Sequence, residues 1–475
     1  MTFRRTKIIC TIGPNTSSYP VLEKMAEAGM DMVRLNMSHA DHAGAEKIIG
    51  WIKTLNRKGR RPISIMLDTQ GPEIRTGDVS EPIDLATGEV VTLSVRDPDE
   101  VETSSIHVNY RELADIARKG SRITVDNGLL NFEVLEVEAK QLVCKVIDGG
   151  LLGSKRHVNL PGVRLNLPAI TQKDRVDVEF GLTHELDFIA LSFVRAAEDV
   201  HELRSILSGR KGRPGIIAKI EDADGVANLH EIAQASDGVM VARGDLGIET
   251  DIADLPNVQR RIAYACAKWG RRCIVATHLL ESMIENPIPT RAEVTDVANA
   301  VYEGADGVML SGETSVGKHP VRCVEQLVSI TRASERFRGL GYERNLVAET
   351  DKQQLAIHAV ALAESIEADG IVVVTRRGVM ADLVTNARPP TVPIYAFTND
   401  SRTRRRLTLN RAVRSYRTDF SLEPEKSLQR ALRVLREREN MESEAKVVVI
   451  SDVLAGAQTD AIQIRFLGGA EEAAG

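Results

Sequence analysis

Through residues 1–70 and again through 170–341, short apolar runs alternate with longer segments whose apolar positions recur at helical spacing. Near-continuous apolar runs of this kind belong to a parallel sheet covered on both faces. Eight strands are predicted: Lys7–Ile12, Met32–Asn36, Ile63–Asp68, Asp187–Ser192, Ile216–Glu221, Gly238–Ala242, Cys273–Thr277 and Gly307–Ser311. Helices such as Tyr19–Ala28, Asn257–Trp269 and Arg291–Glu303 fall between them. Eight strand–helix units over about 240 residues predict a (β/α)8 TIM barrel in preference to an open sheet.

About 118 residues separate the third and fourth strands, where one helix would suffice. Part of that gap alternates apolar and polar positions in short stretches, Val90–Val95, Arg122–Val125, Phe132–Val137 and Leu142–Val146. Asp126-Asn127-Gly128 and Asp148-Gly149-Gly150 supply hairpin turns. Residues 71–169 therefore read as an inserted, β-barrel-like domain. It leaves after Gly71-Pro72 and returns through Asn159-Leu160-Pro161-Gly162, punctuation suited to hinges. Since it departs from the carboxyl end of a strand, it is expected to lie over the active face as a lid. From 342 to 475 the α/β rhythm restarts, with strands at Gly370–Val374, Ile394–Phe397 and Val447–Ser451, predicting a separate open-sheet domain. The acidic stretch Gly468–Gly475 reads as a tail.

Composition narrows the class. A chain of 475 residues exceeds what one hydrophobic core serves, so two or three domains are expected. The formal charge of −6 suits a soluble protein and argues against a general nucleic-acid binder. No apolar run approaches the ~18 residues of a membrane span. The first residues lead straight into a strand, with no secretory pattern, so a cytoplasmic protein is expected. Five scattered cysteines (Cys10, Cys144, Cys266, Cys273, Cys323) without a CxxC pair read as reduced, buried thiols, neither a disulfide framework nor a zinc site.

Barrel active sites lie at the carboxyl ends of the strands. Here the second strand ends Arg34-Leu-Asn36-Met-Ser38-His39 and the third Asp68-Thr69-Gln70-Gly71-Pro72-Glu73-Ile-Arg75. The fifth ends Lys219-Ile-Glu221, and the sixth runs into Arg243-Gly244-Asp245-Leu-Gly247-Ile-Glu249. The seventh ends Thr277-His278 and the eighth Ser311-Gly312-Glu313-Thr314. One such residue could be a salt bridge or a cap, but a rim serving stability alone has no reason to collect six. Glu221 and Asp245, without accompanying His or Cys, suit Mg2+ or Mn2+. Lys219 and Arg34 are cations placed for a phosphoryl group in transfer. A period of two puts Lys219 and Glu221 on one face of their strand, and the Arg243-Gly244-Asp245 turn offers backbone N–H groups to an anion.

These runs, with Ile217-Ala-Lys219-Ile-Glu221, Met240-Val-Ala-Arg-Gly-Asp245-Leu-Gly-Ile-Glu249, Glu281-Ser-Met-Ile284, Pro289-Thr-Arg-Ala-Glu293 and Met309-Leu-Ser-Gly-Glu-Thr314, resemble the pyruvate kinase family in sequence and order. The resemblance spans barrel, lid and C-terminal domain. It implies phosphoryl transfer from phosphoenolpyruvate to ADP, the last step of glycolysis. By position it implies that Arg34 holds the substrate phosphate, and that Glu221 and Asp245 hold Mg2+ (or Mn2+). Gly244, Asp245 and Thr277 would bind the substrate carboxylate. Lys219 would stabilise the moving phosphoryl group, and Thr277 would help protonate the enolate through water. Asn36, Met37, Ser38, His39, Arg75 and the lid residue Arg156 would meet the nucleotide, while Asn36, Ser38, Asp68 and Thr69 would hold K+. A homotetramer and a phosphorylated small-molecule effector at a regulatory C-terminal domain are further implications. Gln70, His278 and Ala40 depart from the commonest family pattern; only nucleotide contacts near Ala40 are put in question. Glu73 matches the members that need potassium. The turn Thr375-Arg-Arg-Gly-Val-Met-Ala381 and the late loop Ser451–Gln458 lack the features of members activated by fructose 1,6-bisphosphate; Arg376 and Arg377 then read either as a site for a sugar or nucleotide monophosphate or, equally, as solvated arginines with no ligand.

Two other readings remain open on the residues alone. One is a different phosphoenolpyruvate or 2-oxo-acid enzyme on a similar barrel, which an assay without ADP would separate. The other is a catalytically dead binding protein, disfavoured because Arg34, Lys219, Glu221, Asp245 and Thr277 are all present. His107, His184, His201 and His358 read as caps or surface groups, and Arg404-Arg405-Arg406 as a solvated helix face. Ser427–Glu439, alternating Arg and Glu, reads as an exposed helix.

Overall fold

The structure, a computed structural model, describes residues 3–59, 61–95, 105–126, 128–163, 167–210, 212–451 and 461–468. Eight parallel strands close into a barrel in chain order: Lys7–Thr11, Met32–Asn36, Ser64–Asp68, Phe188–Leu191, Gly215–Ile220, Gly238–Ala242, Arg272–Ala276 and Gly307–Leu310. The first strand pairs with the second (Ile9 opposite Met32) and with the eighth (Lys7 opposite Gly307), which completes the ring. Nearly every strand residue is buried because one face fills the barrel and the other meets the helices. Ile9, Met32, Met66, Ile217, Met240 and Met309 pack the interior. Leu409, from the C-terminal domain, joins that cluster beside Ile9 and Gly307 and plugs the amino-terminal end.

Local signals set the helix starts. Thr290 and Glu293 form a reciprocal capping box on helix Arg291–Tyr302, and Glu293 also accepts from the N–H and hydroxyl of Ser282. The Pro-Thr-Arg-Ala-Glu run thus has a local physical job. Thr171 and Asp174 do the same for helix Gln172–Thr183.

Between the third and fourth barrel strands lie a six-stranded sheet and a two-stranded ribbon around Leu93, Ile123 and Phe132. Four short strands here, Ile83–Leu85, Ser105–His107, Gly150–Leu152 and Val158–Asn159, were not expected; two or three residues are too few to show a period. Asn127 of the first expected turn lies outside the described residues.

The C-terminal sheet runs Val413–Arg417, Ile394–Thr398, Gly370–Val374, Lys446–Ser451 and Ala461–Phe466, the last antiparallel, with apolar clusters on both faces. Two expectations change here. Arg404, Arg405 and Arg406 are all partly buried; Arg405 Nε bonds Asp187 Oδ1 at 2.8 Å, tying the domain to the base of the fourth barrel strand. Helix Pro424–Glu439 is not exposed all round: Leu428, Ala431, Leu432 and Leu435 recur at helical spacing and pack on the sheet. Residues 452–458 of the late loop and 469–475 of the tail lie outside the described residues. All five cysteines are buried free thiols.

Candidate active site

The ionisable strand ends converge on one buried ammonium. Lys219 is 8% exposed. Its Nζ lies 3.1 Å from Asp68 Oδ1 and 2.9 Å from Glu221 Oε1, and it donates to Ser192 Oγ at 2.7 Å. Burial opposes the charge, but the Asp68 and Glu221 carboxylates more than offset it, and the lysine pKa is raised. Asp68 is fully buried, and its second oxygen accepts from Arg34 Nε at 2.6 Å. Burial pushes its pKa up; Arg34 and Lys219 pull it lower still, so the net shift is downward. Arg34 Nη1 also donates to Thr11 Oγ1 at 3.2 Å.

Glu221 touches Lys219, as the period of two requires, and its Oε2 accepts the Phe193 N–H at 2.6 Å. The Asp245 carboxylate lies close enough to act on it electrostatically. Burial drives the Glu221 pKa up to about 7, Lys219 opposing and Asp245 adding to the rise; burial raises Asp245 as well. Glu221, buried, and Asp245, a third exposed, offer oxygen donors alone, a donor set that a hard divalent cation fits. Among the described residues no group of three or more His, Cys, Asp or Glu is arranged to hold a metal. A pair leaves coordination positions for substrate and water.

Asp245 lies in the first turn of a helix, Arg243–Glu249, where a tight turn was expected. Backbone N–H groups there have no acceptor within the helix. Gly244 packs so close to the next strand end that a Cβ would meet Thr277 Cγ2 at 3.1 Å. Thr277 and His278 both have positive φ, 70° and 57°. Such strain persists only where neighbours enforce it. Arg243 does so, donating to the Ala276 carbonyl at 3.1 Å and the Thr277 carbonyl at 2.6 Å while anchored on Asp296 at 2.7 Å.

On the lid side, Asn36 and Asp68 are register partners on adjacent strands. Asn36 Oδ1 accepts the Ser38 N–H at 3.2 Å, its carbonyl accepts from His39 N, and Met37 N donates to the Asp68 carbonyl. Thr69 Oγ1 accepts from Ser192 N at 3.1 Å. Arg75 is held by Glu73, Nε to Oε2 at 2.7 Å, and Gln70 Nε2 reaches the same oxygen at 3.2 Å. Arg156 Nη1 lies 3.3 Å from Asp126 Oδ1. Arg75 pairs with His157 across the outgoing and returning connections, so both arginines belong to the lid's base.

Four contributors carried no sequence expectation. Ser192 bonds Lys219 and, through its hydroxyl, the Thr69 carbonyl at 2.7 Å. The Phe193 amide holds Glu221. Asp174 accepts the N–H groups of Gln70 and Gly71 at 3.0 and 3.1 Å, fixing the lid hinge. His157 brings Nδ1 to 3.9 Å from Asp245 Oδ1. Ser192 directly follows the fourth strand, at the rim, but a serine there carries no signal that sets it apart from a cap.

Comparison with known proteins identifies what the chain is similar to. Residues 3–324 match the family described as pyruvate kinase, barrel domain, and 353–465 that described as pyruvate kinase, alpha/beta domain. Plastidial pyruvate kinase 2 of Arabidopsis thaliana is 39% identical over 472 residues, covering 97% of this chain and 81% of that protein. The pyruvate kinase of Clostridium perfringens is 37% identical over 454 residues, covering 94% and 96%. A crystal structure of a pyruvate kinase from Cryptosporidium parvum superposes with a TM-score of 0.91 at 34% identity, covering 98% of this chain and 96% of the other.

Proposed function

The chain belongs to the pyruvate kinase family, and from that premise we propose how its own side chains divide the work. The protein is a phosphotransferase: it moves the phosphoryl group of phosphoenolpyruvate to ADP, giving pyruvate and ATP. The bond from phosphorus to the enol oxygen breaks, a bond to a terminal ADP oxygen forms, and the enolate takes a proton at carbon.

Arg34 binds the substrate phosphate, oriented for it by Asp68 and Thr11. Lys219 faces the phosphoryl group in flight; Asp68, Glu221 and Ser192 keep it charged and aimed. The substrate carboxylate is received by Gly244, Asp245 and Thr277, which pack together at the sixth and seventh strand ends. Thr277, held in its strained conformation, orders the water that protonates the enolate. Glu221 and Asp245 would hold Mg2+ or Mn2+. When bound, the ion supplies positive charge to the enolate and phosphoryl oxygens. Asn36, Ser38, Asp68 and Thr69 would hold K+, a role supported by oxygens gathered on two adjacent strand ends. Arg75 and Arg156 meet the ADP phosphates, with Asn36, Met37, Ser38 and His39 alongside.

We further assign a homotetramer, a cytoplasmic location and a phosphorylated effector at the C-terminal domain. The five free thiols fit that location. Among the described residues no helix is long and apolar enough to cross a membrane.

The observation that carries the mechanism is the Lys219 ammonium, buried and bridged to two carboxylates. Lys219→Met is expected to lower kcat at least ~100-fold with little change in KM for phosphoenolpyruvate. Near-normal kcat with a raised KM would reduce the lysine to a binding group.

A further inference from the structure

At the amino-terminal end of the barrel, where the first three strands begin, a cavity of about 50 Å³ is enclosed with the help of the C-terminal domain. Arg4, Lys7, Arg61 and Arg332 line it from the barrel and Arg414 from the C-terminal domain, against one carboxylate, Asp31. That carboxylate is already engaged: its Oδ2 accepts from Arg4 Nη2 at 2.7 Å and from the Ile8 N–H at 2.8 Å. Arg414 pairs with Glu439 and lies over the Phe3 ring. Lys7, Arg61 and Arg332 are left without a carboxylate partner among the described residues. Two polar atoms on the cavity wall, Arg332 Nε and Thr408 Oγ1, are buried and have no hydrogen-bond partner among the described residues. Buried donors of this kind carry a desolvation cost that an acceptor removes.

Lys7 is the unusual member of this ring. It opens the first barrel strand and is 6% exposed. Its Nζ makes one hydrogen bond among the described residues, to the Val413 carbonyl at 2.6 Å. An ammonium has three N–H donors, so the charged form is poorly served here. Burial lowers the Lys7 pKa to about 8; Asp31 opposes the fall, while Arg4, Arg414 and Arg61 add to it. A share of the amine is therefore unprotonated near neutral pH, the state in which a lysine is a nucleophile. The neutral amine relieves repulsion among the cations, yet it still offers them no anion.

We propose that Lys7 is a modification site for carbon dioxide, forming a carbamate that the surrounding arginines hold. The amine lone pair attacks the carbon of CO2, a nitrogen–carbon bond forms, and one C=O electron pair moves onto oxygen. The nitrogen then releases a proton to solvent; nothing is oxidised or reduced. The carbamate keeps one N–H for the Val413 carbonyl, and its carboxylate is an acceptor for Arg332 and the Thr408 hydroxyl, as charge-assisted bonds favour. A positive centre becomes a negative one among guanidinium groups. Size selects the occupant: about 50 Å³ admits a group of a few atoms, when one water takes about 30 Å³ of liquid, and excludes a metabolite. A water would serve the Thr408 hydroxyl but leave the charge uncompensated. The modified lysine joins the barrel to the C-terminal domain through both Val413 and Arg414.

The test exposes the full-length protein to isotope-labelled CO2 and bicarbonate at pH ~8, where the amine is available. Adducts are trapped as esters with a trialkyloxonium salt and mapped by mass spectrometry, with the carbon NMR spectrum as a second readout. Wild type is expected to carry the ester on Lys7 at least ~10-fold above the exposed Lys24 and Lys47, and to show a carbamate resonance. Lys7→Arg, which keeps a cation and so guards against a general loss of fold, should lose both signals. Arg332→Gln should lower the Lys7 adduct at least ~5-fold. Arg61→Gln, at an exposed position on the cavity, should act in the same direction and serves if Arg332→Gln does not fold. No ester on Lys7 in wild type, or equal labelling of the exposed lysines, overturns the proposal. So does an adduct indifferent to both arginine variants. A perturbed bicarbonate resonance without a trapped ester means a free anion in the cavity and overturns the covalent step.

Discussion

Glu73 shows how one carboxylate at the lid hinge can serve two ends. It binds Arg75 and receives Gln70, so it orders the base of the lid, and Gln70 directly follows Thr69, one of the proposed K+ ligands. The residue is expected to make catalysis potassium-dependent, because a lysine there would bring the charge a free cation otherwise supplies. Unit charges at ~4 Å interact by about 4 kcal/mol at an effective dielectric of ~20, enough to matter for a nucleotide polyphosphate. Replacing K+ by a bulky organic cation should cut the wild-type rate strongly, and Glu73→Lys should restore much of it. Undiminished wild-type turnover without any small monovalent cation would show that Glu73 serves Arg75 alone. At this scale the sequence was informative wherever a charged residue ended a strand, as at Arg34, Lys219, Glu221 and Asp245. It was silent on Ser192 and the Phe193 amide, because a serine or a backbone N–H has no distinctive signature until the fold brings it to a lysine or a carboxylate.

Elements explain why those residues arrive together. The lid leaves the third strand through Gly71, whose φ of 74° is one that side chains resist. A Cβ there would also stand 2.8 Å from Ser192 Cβ and 2.9 Å from the Phe193 ring. Gly71→Ala therefore strains the hinge and displaces the pair that holds Lys219 and Glu221. A fall in kcat of about tenfold or more is expected, with a loss of stability above ~1 kcal/mol on denaturant unfolding. Wild-type kinetics in this variant would mean that Ser192 and Phe193 are bystanders. Most barrel strands were legible because their apolar runs are continuous; the C-terminal strands Val413–Arg417 and Ala461–Phe466 were not. The first interleaves arginine with Val413 and Tyr416, and the second is an edge strand with no fully buried residue. Edge and short strands have little one-sided burial to write into sequence.

Across the whole molecule, the C-terminal domain is fastened to the foot of the barrel by arginine–carboxylate pairs, one of them made by Arg405, which sequence alone read as part of a solvated face. Asp187 is 1% exposed, and burial lifts its pKa to about 6 although Arg405 opposes the rise. A carboxyl whose folded pKa exceeds its unfolded value stabilises most when protonated, below pH ~4, and that contribution is lost as pH climbs through 6. Arg405 limits the loss at neutral pH. Arg405→Ala should thus destabilise the protein by up to about 3 kcal/mol at pH 7.5, and by clearly less at pH 5, where Asp187 is largely neutral. A thermal midpoint shifted equally at both pH values would point to lost packing instead.

Barrel, lid and C-terminal domain meet in one claim: the chain catalyses phosphoryl transfer between phosphoenolpyruvate and ADP at the Lys219 site. The most direct measurement follows pyruvate and ATP together, with phosphoenolpyruvate, Mg2+ and K+ present and ADP added or withheld. One ATP per pyruvate, with both products absent when ADP is withheld, is the predicted result. Consumption of phosphoenolpyruvate without ADP, or no turnover with every component present, would contradict the account.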